Sequence, residues 1–186
     1  MKRFTVTDTP IAGLKLVQRQ RLGDERGSFE RVFCGSELAE AGWTDAVVQV
    51  NISVTAHRGT VRGLHFQHPP GAEMKLVSCL RGEVWDVALD LRRGSPTFLQ
   101  WHAQRLSPAN GLAMLIPRGC AHGFQTLADD TQMLYFHTAD YAPGAEGAVN
   151  PLDPCVAVAW PLPITVMSER DKGLPMLPDD FSGVST

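Results

Sequence analysis

An all-β sandwich or barrel is the fold class this sequence predicts, on three observations. No long amphipathic helix is visible in the 186 residues. Short segments rich in Val, Leu, Phe and Thr recur, punctuated by Gly, Pro, Asn and Asp, the pattern of strands separated by turns. Within residues 83–91, Trp85, Val87, Leu89 and Leu91 share one face at the two-residue period, and Asp86 and Asp90 share the other.

Taken in order, strands are predicted over 14–20, 28–33, 46–53, 60–67, 74–80, 83–91, 98–106, 112–116, 123–127 and 132–137. Ser36 can cap one short helix over 37–41, which stops at Gly42. Turn chemistry marks 92–96, 107–111 and 128–130. Residues 140–163, rich in Pro and Gly, read as ordered loop, and the tail after Asp179 is expected to be mobile. No repeat, low-complexity tract or linker interrupts the chain, so one domain over 1–186 is expected.

The totals bound the function. A hydrophobic content of 44% and a charged content of 20% suit a chain with a substantial core. The net charge of -3 gives no global drive towards nucleic acid or an acidic membrane. An anionic ligand must then be held by specific basic side chains. Cys34, Cys79, Cys120 and Cys155 form no Cys-x-x-Cys pair and read as reduced thiols of a cytosolic protein. Thr5, Thr7 and Asp8 break any signal-peptide pattern, and no apolar stretch is long enough to cross a bilayer.

The chemistry concentrates at Arg62-Gly63-Leu64-His65-Phe66-Gln67, read as a strand end, and at the run from Gly111 to His122. The two histidines are expected to face one pocket, with Lys75 beside them. Gly59-x5-His65-x-Gln67 and Gly111-x5-Pro117-x-Gly119-x2-His122 resemble the two motifs of the cupin barrels. Metal-binding cupins carry a second His where Gln67 stands and a Glu where Lys75 stands. A protonated lysine repels a dication, and two His alone make a poor divalent site. No metal and no cofactor is therefore expected.

The chain then resembles, over nearly its whole length, the dTDP-4-dehydrorhamnose 3,5-epimerase family. The resemblance rests on Arg26-Gly27-Ser28-Phe29, Gln49-Val50-Asn51, Arg62 to Gln67, Lys75-Leu76-Val77 and Arg81 to Val87. It continues through Gly94 to Phe98, Pro117 to Phe124, Leu134-Tyr135, Thr138 to Tyr141, Asp153-Pro154 and Ser168 to Asp171. It implies a cupin jelly roll with a few short helices, a nucleotide-linked 4-keto-6-deoxysugar as substrate, and a homodimer formed by strand exchange. It also implies roles. His65 is the base with Asp171 behind it, Tyr135 the acid on the opposite face, and Lys75 and His122 the neighbours of the carbonyl. Arg26, Arg62, Glu146 and Arg170 contact the sugar nucleotide. Phe29, Gln49, Asn51 and Tyr141 hold its nucleoside end.

The residue types suit that chemistry. A neutral His removes a proton beside a carbonyl near pH 7, and a carboxylate behind it stabilises the imidazolium. A lysine aimed at the enolate oxygen stabilises the charge that develops there. Read alone, Asp171 is a surface acid, Tyr135 a core residue and Arg26 part of a charged turn. The resemblance raises each of them.

Three departures from the family pattern stand out. Arg31 replaces the usual Glu and is expected to alter nucleotide or sugar preference. Phe136 and His137 follow Tyr135, where many members have a Lys next. Asn150 to Pro154 replaces a Trp-containing run, and the reshaped loop is expected to favour inversion at one carbon, C3 before C5. The resemblance implies epimerisation of that sugar at C3, C5 or both; the alternatives are a single-carbon epimerase or related isomerase of the same family, a metal-dependent cupin oxygenase and a non-catalytic sugar-nucleotide binder.

Overall fold

In the computed structural model, which describes residues 2–186, two antiparallel sheets pack face to face. In chain order the strands are β1 (Phe4–Asp8), β2 (Lys15–Arg19), β3 (Arg21–Asp24), β4 (Gly27–Glu30), β5 (Gln49–Thr55), β6 (Val61–Gln67) and β7 (Lys75–Arg81). They continue with β8 (Val84–Asp90), β9 (Trp101–Leu106), β10 (Leu112–Ile116), β11 (Cys120–Thr126), β12 (Thr131–His137) and β13 (Glu146–Ala148). Two one-turn helices are α1 (Gly35–Leu38) and α2 (Glu169–Lys172). One sheet runs β1-β2-β10-β7-β12-β5 and the other β13-β6-β11-β8-β9, with β3-β4 as a separate hairpin. The jelly-roll sandwich expected from the sequence is the fold found.

The core explains the pattern along β8. Val84 and Ala88 turn inward and pack with Val77, Met114, Phe124 and Met133 between the sheets. Val87 and Leu89 turn the other way, under Val149, Val156 and Val184. Both faces are therefore buried, and so are the two acids: Asp86 and Asp90 are each 0% exposed. A buried carboxylate persists only where donors replace its water. Asp90 accepts from Arg92 Nε and Nη2, both at 2.8 Å, from Ser95 Oγ at 2.5 Å and from Thr97 Oγ1 at 2.6 Å.

Beside the histidines the backbones of β6 and β11 come very close. A Cβ on Gly63 would lie 2.5 Å from the Gly123 Cα, and Gly63 has a φ of +133°, so only glycine fits. The β6–β11 register shifts at this point, between His122 and Phe124.

Several sequence expectations are corrected. The predicted helix over 37–41 is instead α1 followed by a 3₁₀ turn, Ala39–Ala41, ending at Gly42 with φ 103°. Ser36 does not cap it; its hydroxyl meets Cys34 Sγ at 3.3 Å, and buried Leu38 and Trp43 pin the turn instead. The tail expected to be mobile is docked. Val184 is 7% exposed, its N–H donates to Leu91 O at 2.7 Å, and its carbonyl accepts from Arg93 N at 2.9 Å. Strands β1, β3 and β13 and helix α2 were not anticipated.

Burial alone would raise the carboxyl of Asp90, but the hydrogen bonds it accepts outweigh that and hold it at about 2, below the ordinary 3.8. A depressed carboxyl stabilises the fold above the unfolded-state value and loses that contribution as pH falls through the folded one. Asp90 is thus expected to contribute about 2 kcal/mol at neutral pH. That contribution should vanish between pH 4 and pH 2. Asp90→Asn should lower Tm at pH 7 and flatten its fall below pH 4, measured by calorimetry across that range.

Candidate active site

A cavity of about 700 Å³ opens between the sheets. The six-stranded sheet lines it with Gln49, Asn51 and Ser53 from β5, Lys75 from β7, and Tyr135 and His137 from β12. The five-stranded sheet contributes Arg62 and His65 from β6 and His122 from β11. Tyr141, Glu146, and Arg170 and Asp171 of α2 complete the wall.

His65 and His122 are direct cross-strand partners, and each imidazole has its own carboxylate. His65 Nε2 lies 2.8 Å from Asp171 Oδ1. Asp171 is held in place by the first turn of α2, where its N–H donates to Ser168 Oγ at 3.0 Å. Burial opposes its charge, but the hydrogen bond and charge of His65, with help from Gly63 N–H, leave the carboxyl below its ordinary value. It is therefore an ionised acceptor for the hydrogen on Nε2 of His65.

His122 Nε2 lies 2.8 Å from Asp86 Oδ1. The second oxygen of Asp86 has no hydrogen-bond partner among the described residues. Burial pushes this carboxyl up, and His122 and Lys75 partly offset the shift. Lys75 Nζ donates to His65 O at 3.1 Å and lies 3.1 Å from Glu73 Oε1.

Tyr135 faces the histidines from the opposite sheet. Its ring centroid is 6.1 Å from that of His122, and its hydroxyl pairs with Ser53 Oγ at 2.8 Å. Burial raises its phenol well above the usual range, so the proton stays on oxygen at neutral pH. Next along the same face, burial, then Lys75 and His122, push His137 down to about 4. It is a neutral ring at pH 7.

At the outer end Tyr141 N–H donates to Gln49 Oε1 at 3.0 Å and its hydroxyl to Glu146 Oε2 at 2.9 Å. Arg170 pairs with Glu146 at 2.5 Å. Arg62 Nε donates to Thr55 Oγ1 at 3.0 Å.

The structure thus gathers His65, Asp171, Tyr135, Lys75, Gln49, Asn51, Arg62, His122, Tyr141, Glu146 and Arg170 around one cavity. It does not bring Arg26 and Phe29 there within one chain. Both sit on the β3–β4 hairpin, where Phe29 is 62% exposed and Arg26 folds back onto Asp24 at 2.5 Å. Arg31 does not reach the cavity either; it pairs with Glu37 at 2.5 Å. Pro151 also lies outside it, its carbonyl accepting from Trp160 Nε1 at 2.9 Å, while Tyr141 and Glu146 of the same loop line the cavity. Sequence reasoning missed Asp86, Glu73 and His137 as parts of the site. In β8 Asp86 shares its face with the core residues Val84 and Ala88.

Comparison with known proteins identifies the family. The family model described as dTDP-4-dehydrorhamnose 3,5-epimerase matches residues 8–179. The dTDP-4-dehydrorhamnose 3,5-epimerase of Sinorhizobium fredii is 43% identical over 90% of this chain and 86% of its own. A crystal structure of that enzyme from Bacillus anthracis, with TDP and PPi bound, matches with a TM-score of 0.90 at 38% identity, covering 94% of this chain and 99% of that one. ChmJ, a 3'-monoepimerase from Streptomyces bikiniensis in complex with dTDP-quinovose, matches with a TM-score of 0.83 at 35% identity, covering 90% and 85%. On the breadth of these matches, the chain belongs to the dTDP-4-dehydrorhamnose 3,5-epimerase family and is an isomerase.

Proposed function

We propose that this enzyme inverts C3 and C5 of a dTDP-linked 4-keto-6-deoxyhexose by proton transfer through an enolate. The observation that carries the reading is the opposition of His65 and Tyr135, from facing sheets, across one cavity. Inversion needs a base on one face of the ring and an acid on the other. His65 takes the proton from the carbon beside the carbonyl, and Asp171 stabilises the imidazolium. The electron pair moves onto the carbonyl oxygen, where Lys75 and His122 meet it. Tyr135 returns a proton to the other face, and solvent exchange restores both groups. Oxidation state is unchanged throughout, so the chemistry requires no redox cofactor.

The nucleotide end is assigned to Gln49, Asn51 and Tyr141, and the diphosphate to Arg62 and Arg170, whose planar forks pair two oxygens at once. The solved relatives with TDP and dTDP-quinovose support a thymidine nucleotide. Two carbons are proposed because Pro151 is not among the residues that line the cavity and the matching family model is that of a 3,5-epimerase.

A homodimer fits the outer surface. Val50 and Val54 of β5, an edge strand, and Val48 just before it are about half exposed. A second copy covering that seam brings its β3–β4 hairpin, with Arg26 and Phe29, to this cavity.

His65→Asn should lower turnover at least about 100-fold with binding retained, and Asp171→Asn less, since the imidazole remains. Tyr135→Phe should still exchange substrate protons but invert nothing. NMR of product formed in D2O from dTDP-4-keto-6-deoxyglucose reads both. Deuterium and inversion at C3 and C5 are expected from the unmodified enzyme; deuterium at C3 alone would instead mark a single-carbon epimerase.

Val50→Asp with Val54→Asp should convert a dimer to a monomer in sedimentation velocity and raise KM, because the partner's hairpin is lost. A unmodified protein that sediments as a monomer rejects the seam.

A further inference from the structure

The positions that hold metal in other cupin barrels carry a hydrogen-bonded chain here. Gln67 Nε2 donates to a carboxyl oxygen of Glu73 and to Gly71 O, and Gln67 Oε1 accepts from Ala142 N at 2.7 Å. The other oxygen of Glu73 lies 3.1 Å from Lys75 Nζ, and Lys75 donates onward to His65 O. The side chains of Lys75 and Glu73 are only 10% and 6% exposed. A buried carboxylate with one oxygen on an amide and the other on an ammonium is fixed at both ends, and it fixes the ammonium in turn.

We propose that Glu73 is a positioning residue for the reaction, which clamps the Lys75 ammonium in the cavity wall before substrate arrives. This rests on the reading that Lys75 meets the enolate oxygen. A free lysine carries rotamer entropy and must find its place as the charge forms. A clamped one is preorganised, which is where electrostatic stabilisation of a developing oxyanion is strongest. The carboxylate also repels the enolate; because the ammonium lies against it, preorganisation outweighs that repulsion.

A double-mutant cycle tests this, with kcat and KM measured on dTDP-4-keto-6-deoxyglucose. Lys75→Met should lower kcat about 100-fold. Glu73→Gln should lower kcat about 10-fold or more with KM nearly unchanged, the effect of misplacing a reacting group. The two changes together should be no slower than Lys75→Met alone, because Glu73 acts only through Lys75. Removing one partner of a buried pair destabilises strongly, so Glu73→Gln can fail to fold. The double variant leaves no unpaired charge, and Glu73→Asp, which keeps the charge but withdraws it from Lys75, then supplies the single-variant corner of the cycle, with a loss of kcat at nearly unchanged KM expected. A further loss of kcat in the double variant, or a Glu73→Gln enzyme at the unmodified rate, overturns the clamp. A Lys75→Met enzyme at the unmodified rate overturns the role of Lys75 itself.

Discussion

The site depends on one pairing, His65 opposite His122 across β6 and β11. Side chains alternate along a strand, so a slip of one residue would turn either imidazole out of the cavity. Two glycines guard the pairing. Gly63 and Gly123 let the two backbones approach where the register shifts, and a side chain at either would force them apart. Once the histidines are set side by side, each needs a separate counter-charge. Asp171 reaches one from α2, and Asp86 reaches the other from β8.

The electrostatics of the cavity follow from how each charge is paired. Asp171 has hydrogen bonds enough to stay ionised, whereas Asp86 lacks a partner for one oxygen and is pushed towards its neutral form. Two carboxylates in one fold thus acquire different characters from their surroundings alone. On the opposite sheet, burial keeps Tyr135 protonated and His137 uncharged. Lys75 is the one lysine that lines this cavity.

Much of this was legible in the sequence, and the remainder was hidden for physical reasons. β7, β8, β10 and β12 were read closely because β-branched and apolar residues fill them. β1 was missed because only Phe4 of its five residues is buried, so no apolar alternation marks it. Helix α2 was missed because one turn has no periodicity, although Ser168 three residues before Asp171 is a capping signal. Asp86 and Glu73 escaped notice because an acid in an apolar run looks the same whether it is solvated or buried. Arg26 and Phe29 were drawn to the site by motif alone, and motif does not say which copy of the chain a residue serves.

The dyad joins residues 106 positions apart, and its acid lies in the last short helix of the chain. During synthesis the strands that form both sheets emerge well before Asp171 does. A nascent chain can therefore build its barrel, with the histidines paired and Tyr135 in place, while His65 still lacks the carboxylate behind it. The His65–Asp171 pair forms only once residues 168–171 have left the ribosome and docked against β6. A chain that stopped before Asp171 would keep the paired histidines and Tyr135 and lack the carboxylate behind His65.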